Sequence, residues 1–333
     1  MGIKNLNRFI RAKCQNSKKC ISCVHLRELS GKIIAVDISI YLYKYSALIE
    51  NIYLMLSIFK HYGIIPIFIF DGKPPTEKKA LLQKRREDKV EAEKEYHELK
   101  TELNNPNNNL SKDDKEEIVA SLDLLKNQFI YIKKNQIKEV KDLIVAYGCV
   151  YYDAPGEADV LCAQLVISGK AWACMSEDMD MFVYGVPRVL RYFSLMNHSA
   201  ILYSTEKILE NLKISQEELV TICALVNNDY NIVQDELEFY KAVELYKKYK
   251  STEQIIVSSS GVNCAFYNWL ISQNKTSKPL EILLQNYEMF ILPPLTDKES
   301  YEYNTEKEQI CNYSKLQKIL TEDGFVFLYG ETP

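Results

Sequence analysis

No stretch of this chain is apolar enough to cross a bilayer. The longest candidate, Ile52 to Phe70, is broken by Lys60, His61 and Pro66. A secretory leader is not expected either, because Lys4, Arg8 and Arg11 interrupt the first apolar residues. Met1-Gly2 invites N-myristoylation, but Leu6 stands where that signal needs Ser or Thr. Net basic charge is also absent. Lys and Arg number 41 against 45 Asp and Glu, so the formal charge is −4; a uniform cationic coat is excluded, a local basic face is not. No internal repeat is found. Nine scattered cysteines, an odd number, read as reduced thiols inside a cell rather than a disulfide framework.

What is present is core-forming material. The 333 residues suffice for one large domain or two ordinary ones, and at 47% hydrophobic and 26% charged they can bury a sizeable core. Charge is uneven. Residues 1–33 carry Lys4, Arg8, Arg11, Lys13, Lys18, Lys19, Arg27 and Lys32 against Glu28 alone, a phosphate-facing patch or a merely solvated face. Two continuous apolar runs, Ile33–Val36 and Ile64–Phe70, end in Asp37 and Asp71 and read as buried strands. Between them, Tyr41 to Tyr62 has the length and content of a helix. Strand, helix, strand with unbroken apolar strands predicts a parallel sheet.

A helical excursion is expected from Lys73 to Ala146. It begins in a charged stretch to Lys100, passes a polar loop at Asn104–Asn109, and resumes a helical pattern from Asp113 to Ala146. The sheet resumes at Val150–Tyr152. Pro155 is placed to open a helix whose Ala158, Leu161, Cys162, Leu165 and Val166 share one face. Gly169 closes it, Ala171–Met175 forms another short strand, and a helix over Glu217–Val226 leads to Asp229. Helices and an extended acidic tail follow.

The acids fall where chemistry is expected. Asp37 and Asp71 end strands, Asp178 and Asp180 follow another, and Glu157 and Asp159 open a helix. Sites of open parallel sheets lie at the carboxyl ends of strands, so these groups should converge. One strand-end Asp could be a simple helix cap; four acidic segments at one edge are harder to explain that way. At ~4 Å and an effective dielectric near 20, each like-charged pair costs about 4 kcal/mol, so cations or protons must be present. Oxygen donors without His or Cys suit Mg²⁺ or Mn²⁺ rather than Zn²⁺. Two such ions ~3.5–4 Å apart suit in-line attack of water on a phosphodiester.

At this point the blocks become recognisable. Met1-Gly2-Ile3-Lys4-Asn5-Leu6, Phe70-Asp71-Gly72-Lys73-Pro74-Pro75, Asp153-Ala154-Pro155-Gly156-Glu157-Ala158-Asp159, Glu177-Asp178-Met179-Asp180 and Asn228-Asp229-Tyr230 occur in order. Together they resemble the flap endonucleases of the XPG structure-specific nuclease family, over roughly residues 1–250. The resemblance implies an α/β fold: a parallel-sheet, PIN-like nuclease core flanked by helices, with a helical arch and a helix–two-turn–helix region. It implies metal-site acids at Asp37, Asp71, Glu157, Asp159, Asp178, Asp180 and Asp229, with Asp159 standing where the family usually has Glu. Lys78 and Arg85 match the arch cations that act at the scissile phosphate, and Tyr43 matches an aromatic that stacks on a base. Gly2 matches the chain start packed beside the site, and Lys73 and Lys241 are further expected DNA contacts.

The expected organisation is 1–100 as the N-terminal nuclease region with the start of the arch, 101–148 as arch and cap, 149–250 as the internal nuclease region, and 251–333 as a helical and acidic tail. The expected activity is a 5′ structure-specific DNA endonuclease and exonuclease of replication, repair or recombination, using two Mg²⁺ ions that Mn²⁺ can replace. The alternatives are an RNA-directed nuclease of the same fold and a catalytically dead scaffold.

Several features depart from the family. Glu236 and Glu238 align with the hairpin glycines that help bind K⁺, so no K⁺ site is expected and the helix–two-turn–helix is degenerate. Lys241, Lys247 and Lys248 remain for weaker phosphate contacts. The segment between Asp37 and Asp71 is short, which removes the loop associated with a 3′-flap pocket. No Gln-x-x-Leu-x-x-Phe-Phe box is visible, so a sliding clamp is not an expected partner. A monomer acting on branched or 5′-ended DNA, away from membranes, is expected. Richness in Lys, Asn, Ile and Tyr suggests an AT-biased genome, placing the protein in a nucleus or at a cytoplasmic viral replication site. Cys14, Cys20, Cys23 and His25 are a weak zinc set or free thiols, and Cys149, Cys162, Cys174 and Cys223 read as core.

Overall fold

The apolar runs lie in the middle of a seven-stranded sheet. A computed structural model describes residues 2–15, 17–44, 47–104, 118–119, 121–122, 124–126, 128–226, 237–252, 262–295 and 311–327. Among these, the strands are β1 (Ile21–His25), β2 (Ile33–Asp37), β3 (Ile65–Phe70), β4 (Val150–Asp153), β5 (Ala173–Met175), β6 (Arg188–Ser194) and β7 (Ser199–Ser204). Their order is β1-β7-β6-β5-β2-β3-β4. The pairings from β6 through β4 are parallel, whereas β7 pairs antiparallel with both β6 and β1. Central β2 is flanked by β3 and β5, and Ile34, Ala35 and Val36 are fully buried. A strand covered on both faces reads as a continuous apolar run, which is why β2 and β3 were visible in the sequence.

Alternation decides which side chains meet. Ala35, Ile67, Ile69 and Cys174 share one core cluster with Ala158, Leu161, Cys162 and Leu165 of the helix Ala158–Ile167. Each such aliphatic burial contributes ~1.5–3 kcal/mol, so this helix is fixed against the sheet. The cluster continues into Phe239–Thr252, Val262–Ser272 and Leu280–Glu288. Glu218 ties that region together. Its carboxylate accepts from the Ser215 amide, from Tyr246 Oη at 2.9 Å and from Lys250 Nζ at 2.6 Å.

Some local expectations are corrected. The Tyr41–Tyr62 helix is two helices, Ile38–Lys44 and Leu48–His61, the second entered through Ala47 at a non-helical ψ of 85°. The Asp113–Ala146 pattern is broken: Gln128–Lys133 are not helical, and the helix begins at Lys134. The helix after β4 starts at Ala158 rather than Pro155, with Glu157 extended at its cap. The tail contains a helix, Tyr313–Glu322, whose leading residue Asn312 donates from its amide to the Ala146 carbonyl at 2.8 Å. Cys162, Cys174 and Cys223 are buried as expected, but Cys149 is only half-buried.

The chain divides into two compact units, residues 1–74 with 138–333, and residues 75–137. The second contains the Thr76–Lys78 turn and the long helix Lys79–Asn104. Within it, Lys89 Nζ donates to the Ile130 carbonyl at 2.9 Å and the Tyr96 ring meets Phe129 edge-on.

Candidate metal centre

Parallel register brings the strand ends level. Val36 is opposite Phe68 and Met175, and Phe70 is opposite Asp153. The acids that follow therefore gather at one edge, and two serines knit them. Ser39 donates from its amide to Asp37 Oδ1 at 3.2 Å and from its hydroxyl to Asp71 Oδ2 at 2.5 Å. Ser176 Oγ donates to Asp37 Oδ2 at 3.0 Å while accepting from the Asp178 amide at 3.1 Å. Asp178 Oδ1 in turn accepts from the Asp180 amide at 3.0 Å. Asp71 Oδ1 accepts from the Ala158 amide at 2.9 Å, at the amino end of the Ala158–Ile167 helix. That end carries partial positive charge and unpaired N–H groups, so a carboxylate is stabilised there. Glu157 is extended at the cap, so the helix opens at Ala158 rather than Pro155, and the free Ala158 amide is used by Asp71.

Asp159, Asp178 and Asp180 are all buried, and each offers a carboxylate oxygen within 4.8 Å of the others. Asp180 has no accessible surface at all. Gly2 lies against this group. Its φ is +73°, and a Cβ there would collide with the Oδ1 atoms of Asp178 and Asp180, so only glycine fits. Asp37 is pushed up from 3.8 to about 7, by burial first and then by the charges of Asp71 and Asp178, against the Ser176 hydrogen bond. Stacked like charges in a dry site call for a cation. The donor set is carboxylate oxygen throughout, which fits Mg²⁺ or Mn²⁺.

The remaining expected residues fall as follows. Glu157 is half-buried at the cap of the Ala158–Ile167 helix. Tyr43 is 49% exposed, and Lys73 and Lys241 are exposed. Lys78 and Arg85 belong to the 75–137 unit, Lys78 closing the Thr76–Lys78 turn and Arg85 in the Lys79–Asn104 helix. Asp229 and Glu236 lie outside the described residues. Glu238 is exposed immediately before the Phe239–Thr252 helix.

No zinc cluster forms from the cysteines. Among the described residues, the only group of His, Cys, Asp and Glu with ligand spacing is the aspartate trio. Cys23 is exposed while Cys14 and Cys20 are buried, and His25 Nδ1 accepts from the Arg27 amide as a helix cap.

Sequence reasoning missed Ser39 and Ser176. Both stand two residues from an Asp, the spacing of side-chain-to-backbone turns, and that was the available signal. It also missed Glu177 and Arg191. Arg191 is buried, donates to the Glu177 carbonyl at 2.8 Å and lies 3.5 Å from its carboxylate, holding the residue before Asp178.

Comparison with known proteins agrees with this geometry. The XPG N-terminal domain matches residues 1–92, and the XPG I-region matches residues 148–229. Flap endonuclease 1 of Drosophila yakuba is 30% identical over 278 residues, covering 77% of this chain and 67% of that protein. Flap endonuclease 1 of Eremothecium gossypii is 29% identical over 352 residues, covering 97% and 85%. Among solved structures, the catalytic core of Rad2 in complex with DNA substrate is similar at a TM-score of 0.63 and 17% identity, over 97% of this chain and 95% of that one. Flap endonuclease-1 from Methanococcus jannaschii is similar at a TM-score of 0.58 and 22% identity, over 93% and 92%. These two likenesses speak for the fold; the sequence matches carry the family. The chain belongs to the flap endonucleases of the XPG family, structure-specific DNA nucleases that hydrolyse phosphodiester bonds.

Proposed function

We propose that this nuclease cuts branched or 5′-ended DNA with two divalent cations, Mg²⁺ or Mn²⁺, held by Asp37, Asp71, Glu157, Asp159, Asp178, Asp180 and Asp229. The observation that carries the reading is the buried trio of Asp159, Asp178 and Asp180, tied through Ser176 to Asp37. Bound there, such ions supply Lewis-acid stabilisation of phosphoryl oxygens and activate water for attack.

The chain's own residues do the rest. Ser39 and Ser176 orient the carboxylates before any ion arrives, which lowers the reorganisation needed on binding. Gly2 lets the chain start approach the acids closely. Lys78 and Arg85 supply positive charge to the phosphate as negative charge grows in the transition state. Tyr43 offers an exposed ring for a base, worth ~1–3 kcal/mol in stacking, and Lys73 and Lys241 offer phosphate contacts. Glu238 places a carboxylate just before the Phe239–Thr252 helix, so a phosphate approaching that helix end meets like charge and is not held there.

The protein acts as a monomer and without a sliding clamp, in a nucleus or at a viral replication site. Incubation with end-labelled 5′ flap, nicked duplex, blunt duplex and RNA, with and without Mg²⁺, tests the reading. Mg²⁺-dependent release of the flap is expected. Cleavage of RNA alone, or none at all with each ion, contradicts it.

A further inference from the structure

We propose that the solvent-facing side of the Leu6–Cys14 helix is a duplex-binding ledge, on which Arg8, Lys4 and Arg11, the last resting on the Tyr192 ring, hold DNA phosphates beside the acid cluster. The inference deepens the nuclease reading and rests on it.

Charge is the first support. A chain of net charge −4 places eight Lys and Arg against one Glu in its first 33 residues. Facing is the second. The helix buries Leu6, Phe9, Ile10 and Cys14, so Arg8 and Arg11 emerge on the opposite side, and Lys4 just before the helix is exposed too. Residues three apart are neighbours on a helix surface, so the two guanidinium groups form one cationic strip.

Position is the third support. Gly2 packs on Asp178 and Asp180, and with up to ~3.5 Å per residue before the helix and ~1.5 Å per residue within it, Arg8 and Arg11 lie no more than ~22 Å along the chain from that point. Duplex DNA presents one charge per ~1.7 Å of its axis, so a strand lying at the acids has several phosphates within that distance.

Pre-organisation is the fourth. Tyr192 in β6 is 40% exposed and adopts φ +54°, a left-handed backbone rare for a bulky residue. Its amide donates to Glu177 Oε1 at 2.5 Å, and its hydroxyl accepts from Asn7 Nδ2 at 2.7 Å. Arg11 lies over the ring, 5.9 Å from its centre. A strained residue thus joins the cationic helix to the segment that carries Asp178. Glu177, the acid in this group, is paired with the buried Arg191. A planar guanidinium resting on a ring loses less freedom when it meets a phosphate than a mobile side chain does.

The test measures affinity of the full chain for nicked duplex without divalent metal, so that no cleavage intervenes, between 50 and 200 mM KCl. Each lost phosphate contact should reduce the steepness of log affinity against log salt by about 0.9. The Arg8→Gln, Arg11→Gln variant should therefore flatten the slope by about 1.8 and weaken binding about tenfold or more at the lowest salt. Lys275→Gln with Lys318→Gln, both exposed elsewhere on the chain, removes the same charge and should keep the slope within about 0.5. An unchanged slope in the arginine variant, or an equal loss in the lysine variant, overturns the ledge. Should the double variant unfold, Arg8→Gln alone must still flatten the slope by about 0.9. Cleavage of a flap by the unmutated protein in Mg²⁺ is scored separately. Cleavage with unaltered slopes defeats the ledge alone, whereas absence of cleavage defeats the nuclease reading.

Discussion

Asp37, Asp159, Asp178 and Asp180 at the strand ends are buried, whereas the charged side chains of the Lys79–Asn104 helix stand mostly in water. Asp37 is bonded from two serines, and Asp180 is fully buried. By contrast, the 26-residue helix Lys79–Asn104 buries Ala92 and little else. Holding metal requires fixed anions, which a rigid parallel sheet provides at its strand ends. Of the two cations proposed to meet the phosphate, Lys78 is buried and Arg85 half-buried, and the unit carrying them is separate in its internal packing. The two functions are therefore separable by mutation: acids should govern metal binding and all activity, arch cations the rate with metal and DNA both saturating.

The largest effect tests the acids. Asp178→Ala or Asp180→Ala should lower the single-turnover cleavage rate by about 10³-fold or more while DNA binding is largely kept. A rate above a tenth of the unmutated protein's would remove them from the metal site. Next come the cations. Lys78→Ala and Arg85→Ala should each slow the bound complex by roughly 10²–10³-fold, the cost of losing a transition-state donor, at unchanged metal requirement. Loss of affinity alone would make them ordinary phosphate contacts.

Ser176→Ala sharpens the comparison on the acid side. Removing the hydroxyl that holds the Asp37 carboxylate and the Asp178 backbone amide should raise the Mg²⁺ needed for half-maximal cleavage by about 10–100-fold, with the rate recovering at high Mg²⁺. A lowered rate at every Mg²⁺ concentration would instead give the hydroxyl a role at the phosphate.

A smaller effect lies in stability. The Asp37 carboxyl is raised from 3.8 to about 7 in the metal-free fold, so folding favours its protonated form. Below pH 3.8 both folded and unfolded chains are protonated and this group contributes no pH dependence. Between 3.8 and about 7 the unfolded chain releases its proton first, so this contribution to stability falls as pH rises. Thermal melts in EDTA should show that loss, and Mg²⁺ should raise the melting temperature more at about pH 7.5 than at about pH 5. Equal Mg²⁺ stabilisation at both would separate Asp37 from the ions. The smallest effect is a null one: exchanging K⁺ for Na⁺ at equal ionic strength should leave affinity for a long duplex unaltered, and a K⁺-specific gain would show that another segment supplies the K⁺ site.

The same contrast between buried and solvated segments governed what could be read from the sequence. Strands β2 and β3 were legible because two-sided burial makes Ile33–Val36 and Ile64–Phe70 continuous apolar runs, each ending in the acid that matters. The strands of the β1-β7-β6 side were not. β1 carries Ser22, Cys23 and His25, and β6 carries Arg188, Arg191 and Ser194, so neither shows a clean period. The spacing of Ile118, Leu122, Leu125, Phe129 and Ile132 imitated one helix, but Phe129 packs on Tyr96 from a non-helical turn. Site acids announced themselves through position and motif. Ser39 and Ser176 did not, since a polar residue beside an acid looks the same whether it is solvated or bridging two strand ends.

How many divalent ions the acids hold is the most direct test of the metal centre. Mn²⁺ titration followed by electron paramagnetic resonance, on the unmutated chain at about pH 7.5, should give two bound ions, and Asp178→Ala with Asp180→Ala should remove at least one. Binding of none, or binding indifferent to both substitutions, would contradict it.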